Sequence, residues 1–223
     1  MDYIYGSLSN KGGENPLDYP AIAANQAEII TVATNALTGE AKYFDKSDIA
    51  QDNYDIIKAS CSIPVVCPPY IVKGTPYYDG ALSDPIPVEK AFAMSCDKVV
   101  LILTRPKDFR RKPGKDRLIA SIIRRKYPKA AFRMERRADN YNALLDQAVN
   151  LERQGKLLII APDDTCGMDT LTRDKEAMVR FYKKGLQDGG AISLYLKKEQ
   201  ILEQSGNYFL ERQNHKTDCR AYY

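Results

Sequence analysis

The residues best suited to chemistry lie in segment 77–81 (YYDGA), where Asp79 stands at a glycine turn between a predicted strand and a predicted helix. Gly80 allows a tight backbone turn, and the two preceding tyrosines give the carboxylate an apolar approach. A carboxylate in a partly desolvated site can take a proton from a hydroxyl near neutral pH. Asp79 is therefore a candidate catalytic acid or base, although an aspartate before glycine can also simply cap a turn.

Histidine occurs once, as His215 near the C-terminus. One histidine argues against a Ser-His-Asp triad, an H-E-x-x-H zinc site or a metal centre with several histidines. We expect His215 to be a solvated tail residue, and we expect neither a metal nor an organic cofactor.

Two further side chains could take part in chemistry, but each has a simpler structural interpretation. Cys61 has no histidine and no helix N-terminus nearby to lower its pKa, so we expect a small buried side chain rather than a nucleophile. Asp84 precedes the predicted helix and is interpreted as a residue that braces the loop or the helix start.

Positive charge is concentrated between Arg105 and Arg137. This segment has 14 Lys and Arg against 3 Asp and Glu, a local net charge of +11, so the rest of the chain carries −7 of the overall +4. The favoured interpretation is a solvated helical face whose apolar side packs on the sheet; that side contains Leu118, Ile119, Ile122 and Ile123. The alternatives are attraction to anionic lipid headgroups and, least favoured, to nucleic acid, because no stacking platform or nucleic-acid-binding module is present.

The elements that would position Asp79 are two predicted hairpins. A β-branched run at 28–34 and its partner at 40–44 flank the turn 35–39, and strands 70–72 and 76–78 flank Lys73-Gly74. A helix is predicted from Val88, directly after Pro87, because proline suits a helix start.

The second half of the sequence alternates between apolar runs and helical patterns. Runs 98–104 and 157–161 predict buried strands, and helices are predicted at 115–126, 128–154, 172–187 and 191–204. This alternation predicts an α/β fold with a mostly parallel central sheet covered on both faces. We expect one domain over residues 1–204 and a polar tail over 205–223.

Composition indicates an ordinary globular protein. Of the 223 residues, 44% are hydrophobic and 28% charged, which excludes disordered and fibrous classes. Five cysteines without a C-x-x-C pair indicate reduced thiols. No signal peptide or membrane span is evident, so we expect a cytoplasmic protein whose contact with membranes would be peripheral.

Three blocks together resemble the patatin-like phospholipases or acyl hydrolases, most closely the bacterial subgroup of predicted esterases. They are T-V-A-T-N at 31–35 with T-G-E at 38–40, A-S-C-S-I-P at 59–64, and the run 77–88. The resemblance implies a three-layer patatin-like α/β fold, a lipid or acyl-ester substrate, and a Ser-Asp dyad. Asp79 would be the base and Gly80 and Ala81 would complete its motif, while Ser62, Ile63 and Pro64 would shape the acyl site.

The family's nucleophile motif, G-x-S-x-G, occurs nowhere among the 223 residues. We therefore expect this chain to be the C-terminal portion of such an enzyme, with the N-terminal strands missing and no activity of its own. Exposed strand edges would then favour a homo-oligomer or a retained N-terminal fragment. The alternative is a non-catalytic α/β module that docks to anionic membranes, through residues 105–137, or to a protein partner.

Overall fold

The computed structural model describes residues 2–169 and 172–204. Contacts group them into two compact units: unit 1 contains residues up to Pro87 and Arg111–Leu144, and unit 2 contains Val88–Arg110 and residues from Leu145 onward. The single domain over 1–204 stays a prediction. The predicted tail at 205–223, with His215 and Cys219, lies outside the described residues.

Six strands and seven helices alternate along the described residues. The strands are β1 Thr31–Asn35, β2 Ala41–Phe44, β3 Tyr70–Val72, β4 Thr75–Asp79, β5 Val99–Ile102 and β6 Leu157–Ile160. The helices are α1 Tyr19–Ala24, α2 Asp55–Ser60, α3 Val88–Ala93, α4 Asp116–Ile123, α5 Pro128–Glu135, α6 Arg137–Arg153 and α7 Lys175–Gln204. A π-helical turn, Tyr3–Leu8, and the 3-10 turns Lys46–Asp48 and Gly80–Leu82 complete the set.

Unit 1 contains a four-stranded antiparallel sheet in the order β2-β1-β4-β3. Both predicted hairpins are present, β1 with β2 and β3 with β4. Glycines in the left-handed region close them, Gly39 at φ +72° and Gly74 at φ +80°. Strand β1 also pairs with β4, so that Ala33 lies opposite Asp79. The central pair of strands therefore carries the candidate base at one end.

The predicted mostly parallel sheet is not confirmed, because the main sheet is antiparallel and the one parallel pair in the described residues is β5 with β6. The physical reason is connection length: the short turns at 35–39 and at Lys73-Gly74 can join only antiparallel neighbours. The alternation of strands and helices indicated a mixed α/β class correctly but did not determine which strands pair.

Helices cover both faces of the antiparallel sheet of unit 1. Consecutive residues of β4 point to opposite faces. Tyr77 meets Phe44 edge to face at 5.2 Å in the core cluster on the α2 side, and Tyr78 meets Tyr127 at 5.7 Å in the cluster formed with α4 and α5. Strand β4, and Asp79 at its end, is thereby fixed from both sides.

Unit 2 contains the parallel pair, in which Val99 lies opposite Leu157 and Ile102 opposite Ile160. The predicted burial of both faces of β5 is wrong, since Ile102 is 66% exposed. Helix α7 continues through residues 188–190, where the sequence predicted a break, because a helix tolerates glycines at a modest cost per residue.

No helix of the described segments combines the length and the apolar character that a membrane crossing requires. Cys61, Cys67, Cys96 and Cys166 are thiols rather than members of disulfides.

Candidate active site

Asp79 ends strand β4 and caps the 3-10 turn that follows. Its peptide N–H donates to the carbonyl of Ser62 at 2.9 Å, and its carbonyl accepts from the hydroxyl of Thr34 at 2.8 Å. Its carboxylate Oδ1 accepts from the Ala81 N–H at 2.8 Å. Among the described residues the second oxygen, Oδ2, has no hydrogen bond, so it can still accept a proton donor.

Gly80 is required for a reason other than turn flexibility. Its backbone is not in the left-handed region, but a Cβ at this position would lie 2.4 Å from the carbonyl oxygen of Val32. Real Cβ atoms do not approach backbone so closely, so a side chain at position 80 would push the turn away from β1. The D-G pair thus holds the carboxylate against the central strand.

Burial raises the pKa of Asp79 above its ordinary value of 3.8. The hydrogen bond from Ala81 and the positive charges of Arg137 and Arg111 offset part of that increase. A carboxylate in such surroundings is a stronger base than one in water, which suits proton abstraction from a hydroxyl.

The two arginines belong to a buried charge cluster. Asp116 is only 6% exposed and lies 3.9 Å from Arg111 and 4.0 Å from Arg137. Burial and the neighbouring Arg111 charge lower the pKa of Arg137, while Asp116 and Asp79 act in the opposite direction. Two guanidinium groups and two carboxylates thus act on one another electrostatically, and their charges sum to zero when Asp79 is ionised.

Two asparagines on helix α6 hold this cluster in place. Asn142 accepts the backbone N–H of Arg111 at 2.8 Å and donates to its carbonyl at 3.0 Å. Asn140 donates to the carbonyl of Ser83 at 3.1 Å, just after the turn that contains Asp79. Helix α6, which begins with Arg137, is thus attached to both neighbouring segments.

The segment predicted to shape the acyl site lies directly beside Asp79. Ser62 is buried, its hydroxyl donates to the Lys58 carbonyl at 2.8 Å, and its own carbonyl is the one that binds the Asp79 amide. Pro64 is buried as well and Ile63 partly so. The structure brings the two predicted blocks together, and the shaping role itself stays a prediction.

Two valines that the sequence analysis did not single out follow this segment. Val65 has φ +71°, a costly conformation for a β-branched residue, and Val66 is 74% exposed. The segment beside Asp79 therefore ends in an exposed apolar turn.

None of the nearby hydroxyls is bonded to the Asp79 carboxylate in the part of the chain that the structure describes. Thr34 donates to the main chain of Asp79 and lies 2.8 Å from the Ser83 hydroxyl, and Ser62 binds Lys58. The hydroxyls near the candidate base are thus engaged elsewhere, and none occupies the position of an activated nucleophile.

Cys61 lies close enough to Asp79 to feel its charge. Burial raises the pKa of its thiol, the negative charge of Asp79 raises it further, and a hydrogen bond with Tyr5 lowers it only in part. The thiol is therefore protonated near neutral pH, which agrees with its interpretation as a structural side chain.

Asp84 has the bracing contact that the sequence suggested, because its Oδ2 accepts the hydroxyl of Tyr43 at 2.5 Å. Within residues 2–169 and 172–204 no group of three His, Cys, Asp or Glu side chains is arranged to hold a metal ion.

The family comparisons match two separate parts of the chain. Residues 7–92 match the patatin-like phospholipase family. Residues 127–198 match a second family, described as a domain of unknown function, DUF6363. The first match includes Asp79 and Ser62 and supports the family that the sequence blocks resemble, and with it a lipid-directed hydrolase. The second includes Arg137 and Asn140.

Arg111, Asp116 and Arg137 are the site residues that sequence reasoning missed, because they were counted as part of a solvated basic face. The available signal was Asp116, one of only three acids in that basic segment. A lone carboxylate among many cations is a candidate for a buried ion cluster.

Proposed function

We propose that this chain is the C-terminal, base-carrying part of a patatin-like serine acyl hydrolase that cleaves lipid esters, with Asp79 as the base of a Ser-Asp dyad. One observation carries the proposal. Asp79 ends a strand within the patatin-like match, and its partly buried carboxylate has a raised pKa. One of its two oxygens has no hydrogen bond among the described residues. Gly80 and Ala81 support the motif by holding that carboxylate in place.

In the proposed reaction Asp79 takes the proton from a serine hydroxyl while the serine oxygen attacks the ester carbonyl carbon. The ester C–O bond breaks, the leaving alcohol receives the proton, and an acyl-serine remains. Asp79 then takes a proton from water, whose oxygen attacks the acyl carbon. The carboxylic acid leaves and the serine recovers its proton.

Arg111 and Arg137 would serve this cycle by limiting how far burial raises the pKa of Asp79. A base with too high a pKa would already be protonated at neutral pH, and one with too low a pKa would accept the serine proton poorly. The arginines thus act on the base and need not touch the substrate.

We propose that the nucleophilic serine comes from a segment outside these 223 residues, because the sequence has no G-x-S-x-G and the hydroxyls near Asp79 are bonded elsewhere. The chain alone should then be inactive on esters. Loss of even one oxyanion-hole donor lowers kcat by roughly 10²- to 10³-fold, and here the nucleophile would be absent as well.

The test is to label the longest natural form of the protein with a fluorophosphonate and to locate the modified serine by mass spectrometry. We expect a serine outside these 223 residues and loss of p-nitrophenyl butyrate turnover of about 10³-fold or more in Asp79→Asn. The matched control, Asp84→Asn, should retain most of the turnover. Labelling of Ser62 or Ser83, or full activity of Asp79→Asn, would refute the proposal.

The second candidate, a non-catalytic module that docks to anionic membranes, is favoured by a cationic surface with exposed apolar side chains on α4 and α5. A natural form that binds lipid but reacts with no fluorophosphonate would favour this candidate over the hydrolase.

A further inference from the structure

Helices α4 and α5 of unit 1 expose large apolar side chains to solvent. Leu118 is 62% exposed, Ile122 58% and Phe132 51%. Leu118 and Ile122 were expected to pack on the sheet, and this expectation is wrong because both are exposed. Ala120 and Ile123 are the buried apolar residues of α4, so its apolar side chains divide between two faces.

The exposed side chains of both helices lie outside the core cluster that the two helices share. Leu118 and Ile122 are four residues apart and share one face of α4. The buried sides of α4 and α5 meet in a single core cluster that also contains Tyr78 and Leu82. Because both helices turn their inner faces to that cluster, Leu118, Ile122 and Phe132 all face away from it.

Positively charged residues are frequent in the segment that carries these apolar side chains. From Arg117 to Arg136 the chain has seven Lys and Arg and one acid, Glu135, which pairs with Arg124. Arg136 stacks over the ring of Phe132 at 5.2 Å, so a guanidinium adjoins the most bulky apolar group. Apolar groups ringed by cations are typical of surfaces that bind the interface of an anionic bilayer.

We infer that this α4–α5 surface, defined by Leu118, Ile122, Phe132 and the surrounding Arg and Lys residues, docks on anionic lipid bilayers. The arginines and lysines attract the headgroups, and the three apolar side chains enter the boundary between headgroups and acyl chains. The surface places unit 1, which contains Asp79, at the membrane. The inference does not depend on catalysis, because a non-catalytic module would dock in the same way.

A bilayer fits this surface better than the other anionic partners do. A nucleic acid would use the cations, but Phe132 is the one aromatic ring among the three exposed apolar side chains, and Leu118 and Ile122 give a base nothing to stack on. A surface that contacts only water would not be expected to expose three large apolar side chains, each 51–62% exposed, among its charged residues. An anionic bilayer can bind both the positive charges, through its headgroups, and the apolar side chains, through its acyl chains.

The experiment is cosedimentation of the chain with vesicles of mixed phosphatidylserine and phosphatidylcholine, compared with vesicles of phosphatidylcholine alone. We expect binding to the mixed vesicles that weakens as salt is added, because part of the attraction is screened. The double substitution Arg117→Gln with Arg125→Gln should weaken binding by about fivefold for each charge removed. Leu118→Ser with Ile122→Ser should weaken it by about tenfold or more.

Matched controls are available on unit 2. Leu186→Ser with Leu194→Ser removes apolar side chains of similar exposure, 63% and 70%, from α7. Lys156→Gln with Lys183→Gln removes the same number of charges from exposed positions. Both controls should bind mixed vesicles like the unsubstituted chain, and circular dichroism should show all four variants folded.

Three results would overturn the inference. The first is no binding of the unsubstituted chain to mixed vesicles. The second is equal loss of binding in the α4–α5 variants and in the α7 and lysine controls. The third is an apolar variant that dissociates a dimer in size-exclusion chromatography while vesicle binding stays unchanged, because the surface would then bind a second copy of the chain.

Discussion

The environment of Asp79 lowers the stability of the folded protein when the carboxylate is charged. Its pKa is raised above the 3.8 of an unfolded chain, so the native state binds this proton more tightly than the unfolded state does. As pH rises from 3.8 through the folded-state pKa, the proton is lost and this contribution to stability declines.

Asp79→Asn should therefore raise the urea midpoint of unfolding at pH 7, and the gain should shrink as pH falls towards 3.8. The asparagine can still accept the Ala81 N–H, so the turn is kept. Asp84→Asn is the control and should lose stability, because it weakens the bond from Tyr43. An Asp79→Asn variant less stable than the unsubstituted chain at pH 7 would contradict this view of the site.

Gly80→Ala tests the close approach of the turn to β1. A methyl group 2.4 Å from the Val32 carbonyl forces the turn outward, and we expect a loss of about 3 kcal/mol in the free energy of unfolding. Gly185→Ala is the matched control, since nothing lies within 4 Å of a Cβ there and alanine favours the helix. Equal effects of the two substitutions in urea unfolding would rule out the steric explanation.

The sequence was sufficient to identify Asp79 as a candidate site residue, but it did not reveal the charged residues around it. The D-G-A run marks the turn by itself, because the turn depends on neighbouring residues. Arg111 and Arg137 are 32 and 58 positions away from Asp79, and only the packing of α6 against the turn shows that their charges reach it. Local patterns contain no information on such distant partners.

Helix α6 links the buried charge cluster to the candidate base through its first residue, Arg137, whose charge lowers the pKa of Asp79. Arg137→Gln should raise the pKa of Asp79 further, measurable by a carbon-13 titration of that carboxyl, because one of two opposing positive charges is removed. It should also cost about 3 kcal/mol in urea unfolding, because Asp116 is left buried with a single partner.

Arg137→Lys keeps the positive charge and should keep the Asp79 pKa close to its original value. Arg136→Gln removes a neighbouring charge that is exposed, and it should leave the titration unchanged. A shift of the Asp79 pKa in Arg136→Gln as large as in Arg137→Gln would show that the effect is one of general charge rather than of the buried cluster.

The hairpins were predictable because each is specified within a few residues by β-branched runs and by Gly39 or Gly74. Helix α4 was predictable in its bounds but not in its burial, since Leu118, Ile119, Ile122 and Ile123 are equally apolar in the sequence. Which of them face the core depends on how α4 packs against Tyr78 and Leu82, and periodicity alone cannot decide between two apolar faces.

The net charge of +4 is distributed unevenly along the chain. The segment from Arg105 to Arg137 carries +11 and the rest carries −7. Local field rather than net charge governs attraction to a charged surface, because exposed charges are screened within roughly 10 Å at 0.1 M salt. This asymmetry was readable from the sequence, whereas the pairing of the strands was not.

The pairing of the strands depends on which runs meet after folding. Strand β1 lies between its hairpin partner β2 and the distant β4, and this order determines the edge of the sheet at which Asp79 lies. Apolar runs at 98–104 and 157–161 suggested a central parallel sheet, but they form a separate pair. A homo-oligomer, which the sequence analysis expected from exposed strand edges, stays a prediction.

The carboxylate of Asp79 belongs to one matched family segment and the guanidinium of Arg137 to the other. Loss of the charge at Arg137 should raise the pKa of Asp79, so we expect these two positions to vary together. Relatives of this protein should carry the two segments together. A relative that lacks the second segment should have another cation in place of Arg137, or should lack Asp79 as well.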